Sequence, residues 1–116
     1  MRPYLEIEDF NAEVLGREGL IAHYKVKVKV IAFSPDNEIE EGSVKCIHYG
    51  QLIGGNKTEI DIFPGSGTIV GSGTCDDPYI VEGEFESSKY PGLWSCIATV
   101  KDSKGNKVTV KKGLKL

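Results

Sequence analysis

Along most of the chain, apolar and polar residues alternate one for one. The segment Ala22 to Ala32 reads AHYKVKVKVIA, which sets Ala22, Tyr24, Val26, Val28 and Val30 on one face and His23, Lys25, Lys27 and Lys29 on the other. Successive side chains of a strand point to opposite faces, so this pattern predicts a half-buried strand with one solvated side. Such a strand belongs in an antiparallel sheet, because parallel sheets are covered on both faces. The same period recurs in Tyr4 to Glu8 with Leu5 and Ile7 inward, and in Thr58 to Phe63 with Ile60 and Ile62 inward. Tyr79 to Glu86 sets Tyr79, Val81 and Phe85 inward, with Gly83 as a weak point or bulge. Leu93 to Lys101 directs Trp94, Cys96, Ala98 and Val100 to one side, and Lys107 to Leu116 keeps Val108, Val110, Leu114 and Leu116 in phase. Ser43 to Tyr49 also reads as a strand, with no face singled out by its pattern, and a short piece lies around Thr68 to Val70.

Turn chemistry separates these runs at Ser34-Pro35-Asp36-Asn37, Gly54-Gly55-Asn56, Pro64-Gly65-Ser66-Gly67 and Pro91-Gly92. Asp102-Ser103-Lys104-Gly105-Asn106 suits a short hairpin in which Gly105 takes positive φ. Phe10 to Arg17 is the one helical candidate, short and interrupted by Gly16. The string GSGT occurs at Gly65 to Thr68 and again at Gly71 to Thr74, which reads as a flexible connection or an edge strand. Short strands with turns every 8–12 residues and almost no helix predict an all-β antiparallel sandwich of seven or eight strands, with a small barrel as the alternative.

Composition sets the scale. The 116 residues suit one domain over 1–116, with 40% hydrophobic and 27% charged residues, which is globular rather than disordered. A net charge of -3 argues against whole-molecule attraction to nucleic acid. No apolar run approaches the roughly 18 residues of a membrane span. The charge is unevenly spread: from Lys101 to Leu116 six lysines face the single acid Asp102, whereas residues 1–19 carry Arg2 and Arg17 against five carboxylates. Lys25, Lys27 and Lys29 with Lys107 and Lys111 offer a basic stripe for an anionic partner, weighed against lysines that guard strand edges.

Candidate chemistry is sparse. Cys46, Cys75 and Cys96 are odd in number and none lies in a CxxC pair, so thioredoxin-like and zinc-ribbon readings fall away. They fit a reduced protein or a secreted domain with one bridge. Cys46 and His48 share a strand face and with Cys75 and Cys96 make a marginal metal set. GxSxG, HExxH, P-loop and Rossmann patterns are absent, and a Cys-His nucleophile has only His23 and His48 to draw on. Asn56-Lys57-Thr58 is a formal glycosylation sequon.

From Tyr79 to Val110 the chain resembles the last strands of an immunoglobulin-like domain, through Phe85, the corner Tyr90-Pro91-Gly92, the run Trp94-Ser95-Cys96 and the hairpin turn at 102–106. The string ATVKDSKGN is similar to the tail of bacterial and archaeal immunoglobulin-like modules of repeated surface proteins, with fibronectin type III domains nearly as good a match. The B-strand cysteine and C-strand tryptophan of antibody domains are missing, so the resemblance is to the generic sandwich. It implies that Cys46 and Cys96 are sheet neighbours that can be bridged, leaving Cys75 free. It also implies that Asp36 lies at the same end as Asp76 and Asp77, where calcium could be held.

The expectation is therefore a non-catalytic structural or interaction module without cofactor, in a cell-surface, secreted or virion-associated protein. Its partner would be a protein or a surface glycan, with no nucleic acid and no membrane insertion. The alternative is a small stand-alone binding protein or inhibitor that uses the glycine-rich loops 50–57 and 64–78.

Overall fold

The computed structural model describes residues 1–50 and 57–116. The turn at Gly54-Gly55-Asn56, the sequon asparagine and most of the loop 50–57 lie outside the described residues. Among the described residues eight strands follow one another: β1 (Tyr4–Glu18), β2 (Ile21–Phe33), β3 (Ile39–Gly50), β4 (Lys57–Phe63), β5 (Thr68–Val70), β6 (Tyr79–Lys89), β7 (Gly92–Asp102) and β8 (Lys107–Lys115). They form two antiparallel four-stranded sheets, ordered β1-β2-β6-β5 and β4-β3-β7-β8. One core joins the inner faces, with Val26, Val28, Val30 and Val81 from the first sheet meeting Val44, Ile62, Trp94, Ala98 and Val100 from the second.

The alternation in β2 is kept in full. Tyr24, Val26, Val28 and Val30 are buried between partly exposed or exposed lysines. On β7, Trp94, Cys96, Ala98 and Val100 are buried as their phase requires. In β3, where pattern alone singled out no face, Val44, Cys46 and His48 turn inward. The hairpin at 102–106 closes with Gly105 at φ 84°.

Two expectations are corrected. Phe10 to Arg17 is not a helix but the second half of β1, paired with β2 throughout. Its register shifts between Ile7 and Asp9 and between Val14 and Gly16. Each extra residue moves the apolar phase by one position, so a bulged strand loses its clean period of two. Gly83 is not a bulge, because β2 and β6 stay in unbroken register from Ala22↔Lys89 to Ala32↔Tyr79. Its missing side chain makes room for the opposite sheet: a Cβ there would lie 2.8 Å from Cγ2 of the fully buried Ile62.

The lysine stripe is not assembled either. Lys25, Lys27 and Lys29 lie on β2, while Lys107 and Lys111 belong to β8 of the other sheet. On β2 each lysine stands between acids or amides of its neighbours: Glu13, Asn11 and Asp9 on one side, Glu86, Glu84 and Glu82 on the other. Lys29 makes a 3.3 Å ion pair with Glu8. Opposite charges across strands stabilise by a few tenths of a kcal/mol to ~1 kcal/mol each, and here they cancel the basic potential the sequence suggested.

Candidate functional site

The second GSGT stretch and its flanks are held by backbone bonds. The amides of Ser72, Gly73 and Thr74 donate to the Asp77 carbonyl at 3.0, 2.9 and 3.2 Å, and Ser34 donates to the Gly73 carbonyl at 2.9 Å. The last bond joins the β2–β3 loop to the β5–β6 loop, which places Asp36 at the same end as Asp76 and Asp77. The carboxylates do not converge there. Asp36 faces the N-terminal amine at 3.4 Å and accepts from Asn37 at 3.1 Å, and Asp77 accepts from the Ser72 hydroxyl at 2.7 Å. Among the described residues no three His, Cys, Asp or Glu side chains are grouped as metal ligands. Asp36 is thus engaged by the N-terminus and its own loop, and Asp77 by its own turn, and neither is grouped with Asp76 as a ligand set among the described residues.

The carboxylate that organises this end is one the sequence showed only as a turn residue. Asp102 is fully buried. Its Oδ1 accepts from the amides of Lys104 and Asn106 at 3.0 and 2.8 Å, and its Oδ2 from the side chains of Asn106 and Asn37 at 2.9 and 3.2 Å. Burial alone would raise the carboxyl's pKa, but the hydrogen bonds from Asn106, Asn37 and Lys104 outweigh it and hold the group below the usual range. The signal was present in Asp102-x-x-Gly105-Asn106, since aspartate at the head of a turn bonds the amides that follow.

Cys46 and Cys96 are direct cross-strand partners in β3 and β7, both buried with free thiols, while Cys75 is exposed in the β5–β6 loop. The hydrogen bond to Cys96, with burial behind it, pushes the Cys46 thiol well above the ordinary range. The same bond holds the Cys96 thiol below its ordinary range, and the full burial of both side chains suits a packed core pair. With an aromatic disulfide reagent, Cys75 alone is expected to react promptly in the folded protein, and all three thiols after denaturation. Prompt reaction at Cys46 or Cys96 would show the core to be open.

His48 is 3% exposed and its ring lies 5.0 Å from that of Trp94. Its Nε2 has no hydrogen-bond partner among the described residues. Burial, and next the charge of Lys89, lower its pKa. Below the unfolded value of about 6.5 the unfolded chain takes up a proton that the folded chain refuses. Stability is then expected to fall as pH drops from there towards the folded pKa, no more steeply than about 1.4 kcal/mol per pH unit for one proton. His48→Leu should flatten that slope in urea titrations across this range; an unchanged slope would assign it elsewhere.

An apolar cleft lies between the sheets. Pairing of β3 with β4 runs from Tyr49↔Lys57 to Val44↔Phe63, so among the described strands Ile39–Ser43 carry a neighbour on the β7 side alone. In the facing sheet β5 is a three-residue edge strand. Between these two edges lies a space of about 320 Å³ lined by Leu5, Val30, Val44, Phe63, Ile69 and Val100. Ile69 is 44% exposed at its mouth. Gly42 stands in the inward phase of Val44 and Cys46, and a Cβ built on it would meet only Val100 Cγ1 and the Thr99 carbonyl, each at 3.6 Å. The cleft is therefore open where an inward side chain is missing, and of a volume that ligand sites use. Comparisons with protein-family models, curated proteins and solved structures returned no match.

Proposed function

We propose that this chain is an immunoglobulin-like, non-catalytic interaction module whose contact site is the apolar cleft between β3 and β5. The strand order supports the first half of the reading. In immunoglobulin lettering, β1-β2-β6-β5 and β4-β3-β7-β8 read as A-B-E-D and C′-C-F-G. Trp94, two residues before Cys96, takes the inward place near the start of strand F, and Tyr90 at the corner is 58% exposed. The cleft carries the second half: well-packed sandwiches close their core, and this one leaves Ile69 exposed at the mouth beside an unfilled inward position. The segment 64–78, offered above as a binding loop, contributes through Ile69 in β5 rather than as a free loop.

A neutral apolar fluorophore, N-phenylnaphthylamine, tests the site. Its emission should rise with the wild-type protein and not with Gly42→Val, whose side chain enters the cleft. The variant should melt no lower than the wild type, since replacing glycine at a compatible strand position typically adds about 0.4–1 kcal/mol. Equal enhancement by both proteins would remove the cleft as the contact site.

A further inference from the structure

We propose that the cleft receives an extended basic peptide segment of a partner protein, added as a new strand along Ile39–Ser43. This rests on the reading of the cleft as the contact site and specifies its ligand. The first support is the backbone. Ile39–Ser43 pair with β7 and with no other described strand, so their outward amides and carbonyls are free to bond an incoming chain. Adding a strand to an exposed edge is a recurrent peptide-recognition mode: backbone bonds give affinity and alternate side chains give specificity.

The second support is the side-chain period. In a strand laid beside β3, every second residue would point between the sheets, over Gly42 and towards Val44, Phe63 and Ile69. The floor there is apolar and lacks a side chain of its own at Gly42. The ligand is therefore apolar at alternate positions.

Charge decides between occupants. Glu40 and Glu41 stand exposed on the free edge without an ion pair within the described residues. Lys101 stands opposite Glu41 on β7 and offsets part of its charge, so Glu40 carries most of the negative charge the edge presents. A second copy would bring its own two glutamates to the same edge, and like charges facing across a strand pair are destabilising. The register shift between Ile39 and Glu41 further spoils a symmetric pairing. The same carboxylates attract lysine or arginine on the solvated positions of a foreign strand. What bars self-association thus selects a basic partner.

The test is selection from a displayed library of random linear peptides against the whole chain, with the fluorophore titration run in parallel. Enriched peptides should show apolar residues at alternate positions with lysine or arginine between them. Gly42→Val should weaken the best of them at least about tenfold. Glu40→Lys with Glu41→Lys should weaken them several-fold, by an amount that shrinks as salt is added. Peptide binding should also slow amide hydrogen exchange at residues 40–43. Enriched peptides that bind Gly42→Val equally well, or leave exchange at 40–43 unchanged, overturn the strand-addition proposal. Fluorophore binding without peptide enrichment overturns it while leaving the cleft as a site for small apolar ligands. If neither binds, the underlying reading fails as well.

Discussion

Replacing Trp94 with alanine is expected to destabilise the protein by about 3–5 kcal/mol, the range for removing a large buried aromatic. Trp94 is fully buried where the two sheets meet. Its ring lies 5.0 Å from Phe85 on the first sheet and 5.0 Å from His48 on its own. Its indole N–H donates to the buried Tyr24 hydroxyl at 2.6 Å, so one hydrogen bond crosses the core between sheets. Domains of this size hold about 5–15 kcal/mol in total, so the variant sits near the limit of folding, with a melting temperature lower by roughly 15 °C. Tyr24→Phe isolates the polar part. It leaves the indole N–H without an acceptor, at about 1–3 kcal/mol. Combining it with Trp94→Phe removes donor and acceptor together, so the double variant should lose less than the sum of the singles. Strict additivity in urea denaturation would show that the hydrogen bond contributes nothing.

The second large effect comes from adding atoms. Gly83→Val should cost about 3 kcal/mol, the upper part of the range for overpacking a filled core. The new Cβ would stand 2.8 Å from Ile62 Cγ2 and 3.3 Å from its Cδ1. The first of these atoms lies next to the Ile62 backbone and cannot swing away. Gly67 approaches the same side chain, since a Cβ on it would meet Ile62 Cγ2 at 2.8 Å. Ile62→Ala removes the obstruction but leaves a cavity costing about 2–5 kcal/mol when made alone. In the double variant the valine fills part of that space, so the two changes should offset one another. A double variant as unstable as the sum would mean that Gly83 is needed for its backbone and not for the close approach.

Position-by-position burial was legible wherever the ladder is regular. The inward sets of β2, β7 and β8 follow from alternation alone, because a strand's side-chain period is set by its own backbone. The second half of β1 was misread for the same reason, as one extra residue just before it and one within it disrupted the only signal a single strand provides. Gly83 was misread differently. Glycine in a strand is consistent with a bulge or with close approach of another element, and only the position of Ile62 across the core separates the two. Of the chemistry-bearing residues, the pairing of Cys46 with Cys96 followed from the strand order the resemblance implied. Asp102 was visible as a turn residue and invisible as a buried hub, since Asn37 reaches it from a loop 65 residues away.

Local sequence thus determined the all-β class, the number and phase of most strands, and the hairpin at 102–106. Alternation and turn residues act over a few neighbouring positions, and those were enough. Tertiary structure decided what faces what. It surrounded the β2 lysines with carboxylates, parted them from the β8 lysines, and kept the three loop aspartates from converging. It also stopped β4 at Phe63, leaving Ile39–Ser43, with the inward Gly42 among them, paired on the β7 side alone among the described strands. A cleft of that kind is a property of where strands end relative to one another, which depends on register between segments far apart in the chain.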